Sequence, residues 1–201
     1  MTATTYPNGQ VLNSTALTPT NITKLLQTLT CGMIGVNPPD YARVRVDWQT
    51  QGQPSQDVGT DICYVACVPW DTDYNRVRDY AFSEVVGPPA VLTQTWEYTK
   101  GWRVSWTFYG PNSEDNARAV RSALYMDYFS EQLSLSNLYP VLDSPEVVRA
   151  PEQYNAQWWE RADYFINMYE QVTETINPGI ATSVEIVVED SSGVVADITV
   201  H

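Results

Sequence analysis

The chain has 201 residues, 43% of them hydrophobic, with 7 Trp and 13 Tyr, which is enough for a sizeable core and rules against a disordered chain. Its formal net charge is −13 with only 11 Lys and Arg, so it lacks the clustered basic residues that hold DNA by its phosphates. Three cysteines, Cys31, Cys63 and Cys67, form no Cys-x-x-Cys pair, and the only His is His201, which argues against a disulfide framework, a His-based triad and a His-rich metal centre.

Residues 1–18 are rich in Thr, Asn and Pro and read as an extended arm. The opening residues lack the basic and apolar regions of a signal peptide. No apolar run approaches the roughly 20 residues of a membrane span, so no membrane contact is expected. Thr18 caps a helix whose first turn starts at Pro19. Ile22, Leu25, Leu26 and Leu29 form its apolar stripe, and Gly32 is the expected stop.

After Pro38-Pro39, Val44, Val46 and Trp48 alternate with Arg43, Arg45 and Asp47, the pattern of a half-buried strand. Gln49–Gly59 is a polar loop. Asp61–Val68 reads as a central strand, apolar on both sides, in which Cys63 and Cys67 share a face as small buried residues. Residues 69–89 have no clear period and read as a long excursion. Within it Trp70, Tyr74, Arg76, Arg78, Tyr80 and Phe82 are candidate contacts with a partner subunit, because aromatic and Arg side chains suit interfaces.

Val91–Tyr98 and Trp102–Tyr109 read as a hairpin turning at Thr99-Lys100-Gly101. Trp102, Val104, Trp106 and Phe108 fall on its buried face, opposite Arg103, Ser105 and Thr107. Gly110 permits a sharp exit into a helix over about Ser113–Leu133, with Ala117, Val120, Leu124 and Tyr128 on one stripe. Trp106, Phe108 and Gly110 are therefore assigned structural roles. Residues 134–157 form a Pro-limited connection in which Val147-Val148 adds a short strand. From Trp158 to Ile176 the pattern fits helix and strand alike; the aromatic and β-branched content favours strand. Asn177-Pro178-Gly179 is a turn, and Ser183–Glu189 with Val194–Val200 is a closing hairpin.

Catalytic patterns are not found: there is no Gly-rich phosphate loop and no G-x-S-x-G elbow. Glu97, Glu160 and Asp163 lie among aromatics, but any acidic chain offers such pairs. Asp71, Asp73 and Asp79 lack the ordered ligand spacing of a calcium loop. No enzyme activity, cofactor or metal is expected. Exposed Trp and Tyr also permit a carbohydrate-binding module of sandwich type, against which stand the helix after Gly110 and the long Trp158–Ile176 run.

The order of these patterns resembles the neck and tail terminator (tail completion) proteins of tailed bacteriophages. The resemblance rests on Trp106-Thr107-Phe108-Tyr109-Gly110 at a strand end, on Glu160-Arg161-Ala162 opening a long strand, and on Ile176 followed by Val184-Glu185-Ile186. It covers about half of the chain; the long 69–89 segment and the added hairpin ending at His201 depart from it. It implies one α+β domain over 1–201: a mostly antiparallel twisted sheet packed with two main helices, plus the N-terminal arm and the C-terminal hairpin. It further implies a virion protein assembled in the host cytoplasm, typically a homo-hexameric ring that closes the tail tube. The implied partners are the tail tube protein, a neck or head-completion protein and, in contractile tails, the sheath. DNA would pass through without specific binding. A head-completion or other neck connector is the nearest alternative. Arg161 is a candidate for an ion pair within or between subunits, against the alternative of an exposed edge-strand Arg.

Overall fold

A computed structural model of the protein describes residues 2–7, 10–47, 56–85, 91–178, 184–190 and 193–200. The strands are β1 (Thr2–Thr5), β2 (Val11–Ser14), β3 (Val44–Val46), β4 (Ile62–Trp70), β5 (Asp79–Val85), β6 (Val91–Tyr109), β7 (Leu138–Pro140), β8 (Val148–Arg149), β9 (Glu152–Tyr154), β10 (Gln157–Trp159), β11 (Arg161–Ile176), β12 (Val184–Asp190) and β13 (Gly193–Val200). The helices are α1 (Pro19–Met33), α2 (Ser113–Ala123) and α3 (Asp127–Ser134), with a short 3-10 turn at Asp73–Arg76. The fold class is α+β, as the sequence predicts, with a sheet dominated by antiparallel pairs. The backbone groups into two compact units: Thr15–Arg78 with Glu97–Thr173, and Met1–Ser14 with Asp79–Trp96 and Glu174–His201.

The first of these holds the hydrophobic core. Its strand order is β3–β4–β6–β11, with β7 and β8 on the far edge of β11. β3 is parallel to β4, and β4 is antiparallel to β6. One face of the sheet presents Cys63, Val65 and Cys67 from β4, Val104, Trp106 and Phe108 from β6, and Ala162, Tyr164, Ile166 and Met168 from β11. Ile22 and Leu26 of α1, Ala117 and Val120 of α2, and Leu133 of α3 pack into the same cluster. The 3.6-residue and two-residue periods thus meet at one interface.

α1 begins as expected: the Thr18 hydroxyl accepts the Asn21 N–H at 3.2 Å and Pro19 occupies the first turn. Its end is not at Gly32. Gly35, with φ +75°, terminates the helix; its N–H reaches the Gly32 carbonyl and the Val36 N–H reaches the Cys31 carbonyl. These are the two bonds of a Schellman ending, which needs the left-handed residue that Gly supplies. Gly32 lies within the helix, where a β-carbon would make only ordinary contact with the Phe129 ring at 3.5 Å. At the parallel edge, Gln27 of α1 donates to the Val44 carbonyl at 2.7 Å, which occupies an acceptor that an edge strand would otherwise offer to another chain.

Three further expectations are corrected. The hairpin at Thr99-Lys100-Gly101 does not exist: β6 runs unbroken for 19 residues. Gly101 is required for close approach and not for a turn, because a β-carbon there would lie 2.5 Å from the Trp70 carbonyl on β4. The single helix over Ser113–Leu133 is two helices, with Met126 extended (φ −85°, ψ 136°) between them. The break turns the stripe, so Leu124 is buried but Tyr128 is 63% exposed. Arg45, read as outward, is buried; its Nε donates to the Ala42 carbonyl at 2.7 Å and its guanidinium reaches the Tyr64 hydroxyl. Trp48, loop residues 49–55, residues 86–89 of the excursion and residue 90 lie outside the described residues.

In the other unit, β1 and β2 pair antiparallel, so the segment read as an extended arm is extended backbone paired on itself. β2 also pairs with residues 174–176 at the end of β11, and β5 pairs with β6. β12 and β13 form the expected closing hairpin; Ser191 and Ser192 of its turn lie outside the described residues.

Candidate assembly interface

β11 resolves the ambiguity at 158–176 as a 16-residue strand. Its even positions from Ala162 to Val172 are buried, and its odd positions turn to the face opposite the helices. On that face Phe165 is 41% exposed, while β4 and β6 contribute Tyr64, Ala66, Val68 and Trp70 opposite Thr107, Ser105, Arg103 and Gly101. An apolar, aromatic and Arg-bearing sheet face is the composition of an interface centre.

At one end of this face Trp70 stacks on Tyr169 with ring centres 5.7 Å apart, and Tyr74 meets the same ring edge-on at 5.8 Å. The 3-10 turn that carries Tyr74 is fixed by Asn75, whose side chain accepts the Gly101 N–H and donates to the Trp70 carbonyl. Arg78 lies 3.6 Å above the Tyr98 ring and donates to the Asn75 carbonyl. Arg76 pairs with Asp71 at 2.9 Å and lies 3.9 Å from Asp73, which gives these carboxylates a partner within the chain. In the strand's centre Arg103 lies over the Phe165 ring and donates to Asn167.

Tyr64 is six residues back along β4 from Trp70, about 20 Å at ~3.3 Å per residue. Here the face is hollowed into a cleft of about 700 Å³. The β9–β10 hairpin forms one wall. Its two-residue turn, Asn155-Ala156, has φ of 50° and 60°, the primed geometry that matches strand twist. Tyr109 meets Tyr64 edge-on at 6.0 Å and Trp159 edge-on at 6.4 Å. Arg161 is half-buried at the cleft and forms two bonds of 2.9 Å to Asp163 and one of 2.9 Å to Glu152. The bonds to Asp163 hold its guanidinium well above the usual range, with Glu152 adding to the effect against the opposing cost of burial. Burial, followed by its hydrogen bond with Glu152, pushes the Tyr109 phenol up to about 12. The Trp159 indole N–H is buried without an acceptor.

The other carboxylates singled out in the sequence are also engaged: Glu160 pairs with Arg149 at 2.8 Å, and Glu97 lies near the Gln171 amide. Tyr80 and Phe82, on β5 in the other unit, are 61% and 64% exposed, and the Tyr80 ring sits 6.4 Å from Trp96. Of the named candidates, then, Trp70 and Tyr74 lie at one end of the open face, Arg76 closes the 3-10 turn that carries Tyr74, Arg78 lies over Tyr98 of β6, and Arg161 lies at the cleft. Trp106 and Phe108 are buried in the core, and Gly110 has φ +107°. The sequence reading missed Tyr64, Tyr109, Trp159, Phe165 and Tyr169. Their signal was present: each is an aromatic residue at a position alternate to the buried set, or next to it in a short strand.

The family described as phage neck terminator protein matches residues 20–193. No curated protein matches the chain.

Proposed function

The chain belongs to the phage neck terminator protein family, a family of structural virion proteins, and from that premise we propose that it forms a ring that ends the tail tube and joins it to the head. The observation that carries this reading is the open sheet face. Its Trp70–Tyr169–Tyr74 cluster and its Arg103–Phe165 pair present aromatic and cationic groups to the outside of a closed core. A heterologous contact repeated by rotation closes into a ring. A sheet face on one copy meeting a different surface on the next is such a contact. Six copies at −13 each carry −78, which lets a ring surround DNA without adhering to it. Tyr80 and Phe82 of β5 serve as contacts with the neighbouring ring or the head-proximal partner. The tail tube protein is the partner on the opposite side, with the sheath added in a contractile tail.

The test is the mass of the purified protein in solution, alone and mixed with the tail tube protein. A ring mass that caps tube ends in electron micrographs supports the reading. A monomer that leaves tubes uncapped and binds the head portal complex would make the protein a head-completion connector. A monomer that binds glycans would make it a carbohydrate-binding module.

A further inference from the structure

A heterologous contact needs two unlike surfaces, and the open sheet face supplies one of them. A second lies on the helix side of the same compact unit, where α2 gives way to α3. The chain is extended at Met126, and Tyr125, Met126, Asp127 and Tyr128 are all exposed. Met126 is 54% and Tyr128 63% exposed. The Tyr125 hydroxyl donates to the Leu142 carbonyl at 2.9 Å, which brings another exposed apolar residue to the same place. Large apolar side chains exposed singly need no explanation, but Tyr, Met and Leu gathered at one helix junction have the composition of a contact.

Charge separates the two surfaces. Asp127 and Glu131, one turn apart on α3, and Asp143, next to Leu142, border the junction. None of these three side chains has an ion pair or a hydrogen bond among the described residues. Arg121, four residues before Tyr125, is bonded to Glu146 at 2.9 Å and to the Pro145 carbonyl. The junction is therefore apolar and negative. The sheet face is apolar and positive at its centre: exposed Arg103 lies over the Phe165 ring, donates its Nε to Asn167, and meets no carboxylate among the described residues.

We infer that the α2–α3 junction of one copy docks on the open sheet face of the next, with Met126 and Tyr128 toward Phe165 and Tyr169 and the α3 carboxylates toward Arg103. The inference rests on the ring reading and names its subunit contact. The two surfaces lie on opposite sides of one sheet, so neither can cover the other within a chain. Each repels its own kind by charge, which disfavours a two-fold pairing and favours head-to-tail contact that rotation can close.

The test uses two variants of the full chain. One carries Arg103→Glu with Phe165→Ser and keeps its helix junction; the other carries Tyr128→Ser with Glu131→Arg and keeps its sheet face. In sedimentation velocity the parent should associate as its concentration rises, and each variant alone should associate at least about tenfold more weakly. An equal mixture of the two should form a pair and nothing larger, because one intact junction then meets one intact face. All four substituted side chains are exposed, and circular dichroism checks that the fold is kept. Should either pair of substitutions disturb it, Arg103→Glu and Glu131→Arg alone take their places. A parent that stays monomeric, a variant that associates as the parent does, or a mixture that forms no pair would overturn the inference. The neck reading is judged separately, by whether the parent chain caps tubes and joins heads; a parent that does so while the mixture forms no pair would leave that reading standing and place the subunit contact on other surfaces.

Discussion

Trp106 sits on the sheet face that meets α1, stacks on Tyr164 with ring centres 5.6 Å apart, and donates its indole N–H to the Thr30 hydroxyl at 2.8 Å. Trp106→Ala should therefore cost about 3–5 kcal/mol, a large part of a typical ~5–15 kcal/mol domain stability. Thermal unfolding checks it, and a variant melting within a degree or so of the parent (about 0.3 kcal/mol for this size) would contradict the packing. Gly110 makes a second residue-scale case. Its φ is +107°, and a β-carbon would come 2.6 Å from an Asp61 oxygen that bonds the Asn112 N–H. Gly110→Ala should destabilise by more than the ~1 kcal/mol of an ordinary Gly exchange, because strain and a displaced hydrogen bond act together. The thiols obey the same burial argument. Cys31, Cys63 and Cys67 are buried and unpaired with one another; burial, and then the charge of Glu170, pushes Cys67 up to about 12. In the folded protein all three should resist thiol reagents until denaturant exposes them. Cys67 and Tyr109 both have folded pKa values raised above their unfolded ones, to about 12 from 9 and 10. Their contribution is present below the unfolded values and is lost as pH rises through about 12. Urea midpoints should accordingly fall between about pH 9 and about pH 12, and a flat profile would remove these two groups from the account.

At the scale of elements, alternation was the most legible signal, and its limits have physical causes. The sequence marks Trp102, Val104, Trp106 and Phe108 as one face because period-two alternation survives burial on a single side. Alternation alone does not decide β11, where a helical spacing fits equally well; aromatic and β-branched content, and more firmly the family resemblance, point to the strand that is found. The pattern misplaced the hairpin because a Gly flanked by Lys and Trp looks the same whether the backbone turns there or a neighbouring carbonyl crowds it. Only the register of Gly101 opposite Trp70 separates the two. The break between α2 and α3 was hidden because Tyr125 and Met126 are ordinary helix residues with no Pro or Gly between them. The cleft was least legible: its walls come from β4, β6 and β10, distant in sequence, and Glu170 gave no hint of being a buried acceptor for Trp102 at 2.6 Å. The excursion yields an element-scale prediction. Tyr80 and Phe82 are exposed on β5, so Tyr80→Ser with Phe82→Ser should shift folding stability by only about 0.5 kcal/mol or less per site. Particles carrying the pair should show tails impaired in joining heads, while the purified variant keeps the parent's circular dichroism spectrum. Fully joined particles would remove β5 from the contact surface.

For the molecule as a whole, in the ring proposed above, charge would decide between holding DNA and letting it pass. The −13 of each chain comes from 24 Asp and Glu against 11 Lys and Arg, and the basic side chains are largely committed. Arg43, Arg76, Arg118, Arg121, Arg149 and Arg161 each face a carboxylate within 4 Å, so they add no free positive surface. Exposed pairs of this kind contribute little to stability, but they do neutralise cations that could otherwise meet phosphates. A basic channel would bind duplex DNA through counterion release, with affinity falling steeply as salt rises. An acidic ring should instead show no retention of a duplex at ~0.1 M salt and no salt-dependent binding isotherm, because there are no clustered phosphate contacts to release counterions. The measurement is fluorescence anisotropy of a labelled duplex titrated with the assembled protein at two salt concentrations. Saturable binding that weakens with a steep log–log salt slope would mean that cations not paired with a carboxylate, Arg103 among them, gather on the lumen side. The open aromatic and Arg-bearing face would then line the DNA passage, and the contact between neighbouring subunits would have to be sought on another surface.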